Sequence, residues 1–149
     1  MKIEIFKKKD SSELVELLLS ADPDKACVNR YINTGEILTA IIDDKVVGVA
    51  AVVMNGVEAE LKNIAVRPME QGKGIAKDLI DEVKKLAKRL GATFLIVGTG
   101  NSSLSQLALY QKCGFRFYRI IPNFFETYSE PIFENGIRCI DMVMLKFEL

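Results

Sequence analysis

The chain has 149 residues, 49% of them apolar and 27% charged, a balance that suits one globular domain spanning residues 1–149 and excludes disorder. Its 20 basic residues equal its 20 acidic ones, so nothing in the charge favours nucleic acid or an anionic membrane as a partner. With no histidine and three scattered cysteines (Cys27, Cys113, Cys139), a His-based triad, a zinc site and a disulfide framework are not implied, and no metal is expected. No apolar run has the length of a membrane span and Met1–Ile5 is unlike a signal peptide, so a cytoplasmic location is the expectation.

Lys2–Phe6 alternates as a short strand does. Asp10-Ser11-Ser12-Glu13 reads as a helix start, followed by the apolar stripe Leu14, Leu17 and Leu18. Asp22-Pro23-Asp24 interrupts it. A second helix runs from Lys25 to Asn33 and closes at Gly35, a residue suited to a C-terminal cap. Strands follow at Ile37–Ile42 and Lys45–Met54 about the Asp43-Asp44 turn, then at Glu58–Val66 after Asn55-Gly56.

Ile75, Leu79, Val83, Leu86 and Leu90 recur at helical spacing and mark one buried face, ended by Gly91. Ala92–Gly98 reads as a strand buried on both sides, Leu104–Lys112 as a short helix, and Phe115–Ile121 and Arg138–Phe147 as two more strands. Pro122–Gly136 is an aromatic and acidic loop. This order predicts an α/β fold, a mixed sheet with an antiparallel meander, one parallel crossover and helices on both faces.

The most informative stretch is Gln71-Gly72-Lys73-Gly74-Ile75-Ala76, set between a strand and the longest helix. Glycines there let the backbone turn sharply, so that N–H groups at a helix start converge on an anion such as a diphosphate. No Gly-Lys-Ser/Thr follows at P-loop spacing, and a meander precedes the turn where a dinucleotide fold needs alternating strands and helices.

Gln71-x-x-Gly74-x-Ala76 after Ala65-Val66, together with Leu109-Tyr110-x-x-Cys113-Gly114-Phe115, resembles the Gcn5-related N-acetyltransferases. Pro122–Met144, with Glu130-Pro131-Ile132 and Glu134-Asn135-Gly136, is similar to a subgroup of small bacterial acetyltransferases with unassigned substrates. The resemblance implies the acyl-CoA N-acyltransferase fold, with a mostly antiparallel central sheet, and transfer of acetyl from acetyl-coenzyme A to an amine. It implies a diphosphate held by amides of Gly72, Lys73, Gly74, Ile75, Ala76 and Lys77 beside Gln71. It further implies a pantetheine arm along Ile64, Ala65 and Val66, and Tyr110 beside the thioester sulfur. Relatives often have an asparagine seven residues before that tyrosine. Here Ser103 stands there with Asn101 two residues earlier, so either one is the candidate contact. A glutamate base that some relatives carry at the position of Gly98 is missing.

Three chemical readings follow. A phenol at Tyr110 suits proton donation to a departing thiolate. An ammonium acceptor must lose a proton, for which Glu60, then Glu58, Glu36 or water are candidates. Cys113, with no histidine to activate it, fits an inert cysteine better than an acyl-carrying nucleophile.

Phe124, Phe125, Tyr128 and Phe133, beside Glu126, Glu130 and Glu134, are candidates for one wall of an acceptor pocket, with Arg30 and Tyr31 for the other. The acceptor, a small amine or a peptide, stays open, as does the oligomeric state, a homodimer being one outcome. A non-catalytic acyl-coenzyme A sensor on the same fold is the rival reading.

Overall fold

The computed structural model describes residues 1–6 and 12–149. The chain opens with β1 (Lys2–Ile5), α1 (Ser12–Ala21) and α2 (Lys25–Thr34), then the meander β2 (Glu36–Ile42), β3 (Lys45–Asn55) and β4 (Glu58–Val66). Next come α3 (Ile75–Arg89), β5 (Phe94–Gly100), α4 (Leu104–Lys112) and β6 (Arg116–Ile121). A small hairpin, β7 (Ile132–Glu134) with β8 (Ile137–Cys139), precedes the final strand β9 (Met142–Glu148). Seven strands form one sheet in the order β1-β2-β3-β4-β5-β9-β6, antiparallel except where β4 meets β5. Asp10 and Ser11 of the expected helix start lie outside the described residues.

Local chemistry accounts for most of these boundaries. Asp43 and Asp44 both take positive φ (50° and 63°), the hand that matches the twist of a two-residue hairpin. Asp24 caps α2 by accepting from the Cys27 N–H at 3.2 Å. Gly35 is the C-cap of α2 as expected, its N–H donating to Tyr31 O at 2.8 Å, but with an extended backbone. Its φ is −112°, so it is no left-handed cap; a Cβ there would stand 2.5 Å from the Val52 carbonyl oxygen. The glycine serves close packing of α2 on β3.

Helix α3 buries Ile75, Leu79, Val83 and Leu86 as expected, and also Ile80 and Ala87. Leu90 is the exception at 44% exposed, because α3 ends at Arg89 and Gly91 (φ 97°) turns the chain away. The strand expected over Ala92–Gly98 begins two residues later, after the Thr93 N–H has paired with Val57 O. The single strand expected over Arg138–Phe147 is broken at Ile140-Asp141, whose two N–H groups both donate to Asn101 Oδ1 (2.8 and 3.0 Å).

The sheet separates two apolar layers. Leu38, Ala59, Leu61, Ile64, Leu95, Val97 and Leu145 pack against α3, with Tyr110 of α4 in the same cluster. On the opposite face Ile37, Val49, Ala51 and Ala65 pack against α1 and α2. By strand alternation Glu58 and Glu60 of β4, Ile96, Gly98 and Gly100 of β5, and Met142 and Met144 of β9 share that second face.

Two tyrosines are built into these layers. Burial pushes the Tyr31 phenol far above the usual range, opposed by a hydrogen bond from Asn63 and reinforced by the Asp22 carboxylate. Burial, with a smaller effect of Cys113, does the same to Tyr110. In the unfolded chain both ionise near pH 10.

The unfolded state therefore sheds these protons first, and the stability they confer is complete below about pH 10 and falls as pH rises toward the folded values. Denaturant titrations at pH 8 and pH 11 are expected to show this loss, with a shallower pH slope in the Tyr31→Phe/Tyr110→Phe double variant. An unaltered slope would remove the tyrosines as its cause. Leu79→Ala, a fully buried truncation under the sheet, is expected to cost about 2–5 kcal/mol in the same assay.

Candidate active site

The site begins with a register error in the sheet. β3 pairs Ala51 with Asn63 and then Val52 with Leu61, which leaves Lys62 as an extra, unpaired residue. Such a bulge bends its strand and increases its twist. The β4–β5 ladder correspondingly runs Glu58↔Phe94, Ala59↔Leu95, Glu60↔Ile96, Leu61↔Val97 and then stops, although β4 continues to Val66 and β5 to Gly100. The edge of β4 that carries Ile64, Ala65 and Val66 therefore faces a gap with no β5 partner. Main-chain N–H and C=O groups on such an edge can pair with an extended, amide-bearing ligand.

At the end of β4 a 3-10 turn, Pro68–Glu70, delivers the chain to the glycine turn. Gly72 and Gly74 have φ of 79° and 84°, and a Cβ on either would meet nothing within 4 Å. Their role is thus conformational: the turn demands a left-handed backbone, and the space over it is open. Gly74 is the N-cap of α3 and supplies no capping side chain, so the first N–H groups of that helix point outward unshielded. Gln71 donates to Val66 O at 3.0 Å and ties the turn to the strand end.

Val66, Gln71, Gly72, Gly74, Ile75, Ala76 and Lys77 line a cleft of about 320 Å³, closed on its far side by Ser105, Gln106 and Leu109 of α4. Gln106 Oε1 is buried there with no hydrogen-bond partner among the described residues. A left-handed glycine cradle, bare helix N–H groups, an open strand edge and an orphaned acceptor fit a ligand with a diphosphate at one end and amides along its arm. Lys73 lies off the cleft lining, its ammonium 2.9 Å from Glu70.

Ser105 and Gln106 of α4 were not singled out from the sequence. The signal was there: Ser105 and Gln106 precede Leu109 and Tyr110 by four, one helical face. Tyr110 lies one turn beyond Gln106, only 4% exposed, with its ring 5.9 Å from that of Phe115. Among the described residues no hydrogen bond holds its hydroxyl. Cys113 is buried at the end of the same helix, and burial pushes its thiol up, partly offset by Lys84.

Asn101 and Ser103 have structural work. Asn101 Nδ2 donates to Arg138 O at 3.1 Å while its Oδ1 receives the two N–H groups already described. Ser103 Oγ donates to Glu134 at 2.9 Å, and Asn135 donates to Ser102 O. These bonds pin the β7–β8 hairpin over the end of β5. Glu134 is thereby a fastening residue, though exposed like Glu126 and Glu130, which make no such bond among the described residues.

On the second face Glu60 sits beside the last ladder pair, its carboxylate 3.2 Å from Lys62. Glu36 is two strands away and, by alternation with Ile37, on the α3 side. Asn63 donates to Leu18 O (2.8 Å) and to the Tyr31 hydroxyl (2.7 Å), which lies 3.5 Å from Asp22. Arg30 donates to Cys27 Sγ. The rings of Phe124, Phe125 and Tyr128 form a chain with centroids 5.0 and 5.6 Å apart. Burial pushes the Tyr128 phenol up, and the charges of Asp22, Asp24 and Cys27 add to it. Phe133 is exposed, apart from this chain of rings.

Comparisons with known proteins agree with this geometry. The model of the Acetyltransferase (GNAT) family matches residues 6–115. A Bacillus subtilis (strain 168) protein described as an uncharacterized N-acetyltransferase, YvbK, is 47% identical over 141 residues, covering 93% of this chain and 91% of that protein. A Bacillus subtilis acetyltransferase solved in complex with CoA superposes with a TM-score of 0.95 at 45% identity, over 99% of this chain and 98% of that one. A GNAT family acetyltransferase from Elizabethkingia anophelis with acetyl-CoA bound gives 0.93 at 40% identity, over 99% and 97%. With its bulged β4, its parted strands and its glycine-started helix, the chain belongs to the GNAT family of acetyltransferases.

Proposed function

We propose that the chain is an N-acetyltransferase that moves an acetyl group from acetyl-coenzyme A to a primary amine by direct attack in a ternary complex. The observation that carries this reading is the glycine-capped start of α3 lying beside the unpaired edge of β4. Amides from Gly72 to Lys77 hold the diphosphate, and the edge at Ile64, Ala65 and Val66 aligns the pantetheine arm. Gln106 Oε1 accepts from an N–H of that arm. The coenzyme's thioester supplies the activated acetyl group when bound.

The chain's own groups then position and move protons. Tyr110 is the general acid: burial keeps its phenol protonated, so it has a proton to give to the leaving sulfur. Glu60 is the base, with Lys62 fixing its carboxylate. Much of the acceleration comes from holding the amine against the thioester in one orientation. The buried, protonated state of Cys113 supports direct attack over an acyl-cysteine route. Phe124, Phe125 and Tyr128 with Glu126 and Glu130 wall the acceptor side, facing Arg30 and the α1–α2 connection.

Three substitutions test these assignments. Tyr110→Phe is expected to lower kcat roughly 10²–10⁴-fold while the coenzyme Kd, measured by calorimetry, holds; full turnover would remove the acid role. Glu60→Gln is expected to displace the pH dependence of kcat/KM, and an unmoved profile would transfer the base role to water. Gly74→Ala forces a side chain into a left-handed backbone, costing about 1–2 kcal/mol of stability, and is expected to weaken coenzyme binding. Gly91→Ala, at a φ of 97° away from the cleft, is the control that should lose stability and keep binding.

A further inference from the structure

We propose that β6 pairs antiparallel with β6 of a second copy of this chain, joining two seven-stranded sheets across a two-fold axis. This edge lies two strands beyond β5, and no residue of β6 lines the cleft described above.

β6 ends the sheet, bonded to β9 on one side and with no strand on the other among the described residues. Its outer main-chain groups are free to pair with another strand. Three large side chains stand out from it: Phe117 is 63% exposed, Tyr118 48% and Ile120 60%. The opposite edge of the sheet is protected. There β1 has four residues and carries the Lys2–Glu4 ion pair at 2.9 Å.

The register with β9 sorts the β6 side chains by face. Phe117 pairs with Leu145 and Ile120 with Val143, both packed in the α3 layer. Arg116, Arg119 and Ile121 pair with Lys146, Met144 and Met142, on the second face. Tyr118 is the bulge residue, and its ring centre lies 5.1 Å from the Lys146 ammonium, so it shares that second face. The bulge thus sets Phe117 and Ile120 on one face although they are three residues apart.

Self-pairing that uses all six residues has one register, with the axis between Tyr118 and Arg119. It sets Arg116 against Ile121, Phe117 against Ile120 and Tyr118 against Arg119. In a regular strand each of these pairs would join opposite faces, and such pairing is forbidden. With the bulge, every pair shares a face. Two Phe117–Ile120 pairs then form one apolar cluster on the α3 side, and each Arg119 guanidinium meets a tyrosine ring on the other.

Size and charge set the strength. Phe117, Tyr118 and Ile120 offer roughly 300 Å² of apolar surface per copy, and with Arg116, Arg119 and Ile121 the pair buries on the order of 1,000 Å², where specific interfaces begin. On the second face each copy brings Arg116, Arg119 and Lys146 to the seam, and Glu148, 3.2 Å from Lys146, offsets one of them. Like charges therefore oppose the apolar pairing, and salt should strengthen the dimer by screening them.

Sedimentation equilibrium of the full chain is expected to show a monomer–dimer equilibrium with Kd of about 10–100 µM. It should tighten between about 50 and 500 mM NaCl. Phe117→Ser/Ile120→Ser should weaken it about 10-fold or more and leave thiol release per chain unaltered. For the register, Phe117→Cys mixed with Ile120→Cys should give a disulfide-linked dimer with a 117–120 cross-link by mass spectrometry, and neither variant alone should cross-link through its new cysteine. A chain that stays monomeric to about 1 mM, a dimer indifferent to the double serine variant, a dimer weakened by salt, or cross-linking of either cysteine variant alone through position 117 or 120 overturns the proposal.

Discussion

The structure turns on one unpaired residue, Lys62. Because it has no partner in β3, the strand twists out of register at the point where the parallel ladder to β5 stops. A continuous parallel sheet would have satisfied every main-chain group between these strands and left nothing for a ligand to pair with. The bulge preserves β3–β4 pairing as far as Gly48↔Val66 while freeing the other edge of β4. The freed edge ends at Val66, where Gln71 ties the glycine turn on, so that the open edge and the bare helix start are consecutive parts of one groove.

The two faces of the sheet divide the chemistry. On the α3 side the groove is closed by α4, whose Gln106 reaches the cleft and whose Tyr110 is packed into the core. On the other side lie Glu58 and Glu60 of β4, Gly98 and Gly100 of β5 and the methionines of β9. The gap between β4 and β5 has small residues about it: Ala65 on one strand, Gly98 and Gly100 on the other. Methionine thioethers and Cys139 occupy the room beside those glycines. The hairpin β7–β8 is held there by Asn101, Ser102 and Ser103, so Asn101 and Ser103, expected from the sequence as cofactor contacts, fasten that hairpin.

Features with a local cause were legible in the sequence. The Asp43-Asp44 turn, the stripe on α3 and the glycine turn each follow from a residue's own conformational preference or from the period of one helix, and the structure has all three. Gly35 was read as a cap and is one, its N–H on Tyr31 O, but the glycine itself is required by the Val52 carbonyl, 17 positions away in sequence. The bulge at Lys62 carries no sequence mark, since a bulge is a relation between two strands. The break at Ile140-Asp141 likewise depends on an asparagine some 40 positions earlier. Leu90 kept the helical period yet fell outside the helix, because Gly91 turned the chain one residue sooner than the pattern implied.

Asn63 joins these levels. It follows the bulge directly, and its amide nitrogen donates to Leu18 O of α1 and to the Tyr31 hydroxyl of α2. A flipped amide would set oxygen against the Leu18 carbonyl, so this orientation is the one the surroundings permit. Its Oδ1 is then buried with no partner among the described residues, a cost of about 1–3 kcal/mol. The same residue therefore anchors both helices of that face, α1 and α2, to the strand that parts, at the residue where parting begins. A core built for stability alone would put an apolar side chain there. Asparagine instead makes the packing of α1 and α2 depend on the bulged geometry of β4, which holds the gap and the face above it as one unit.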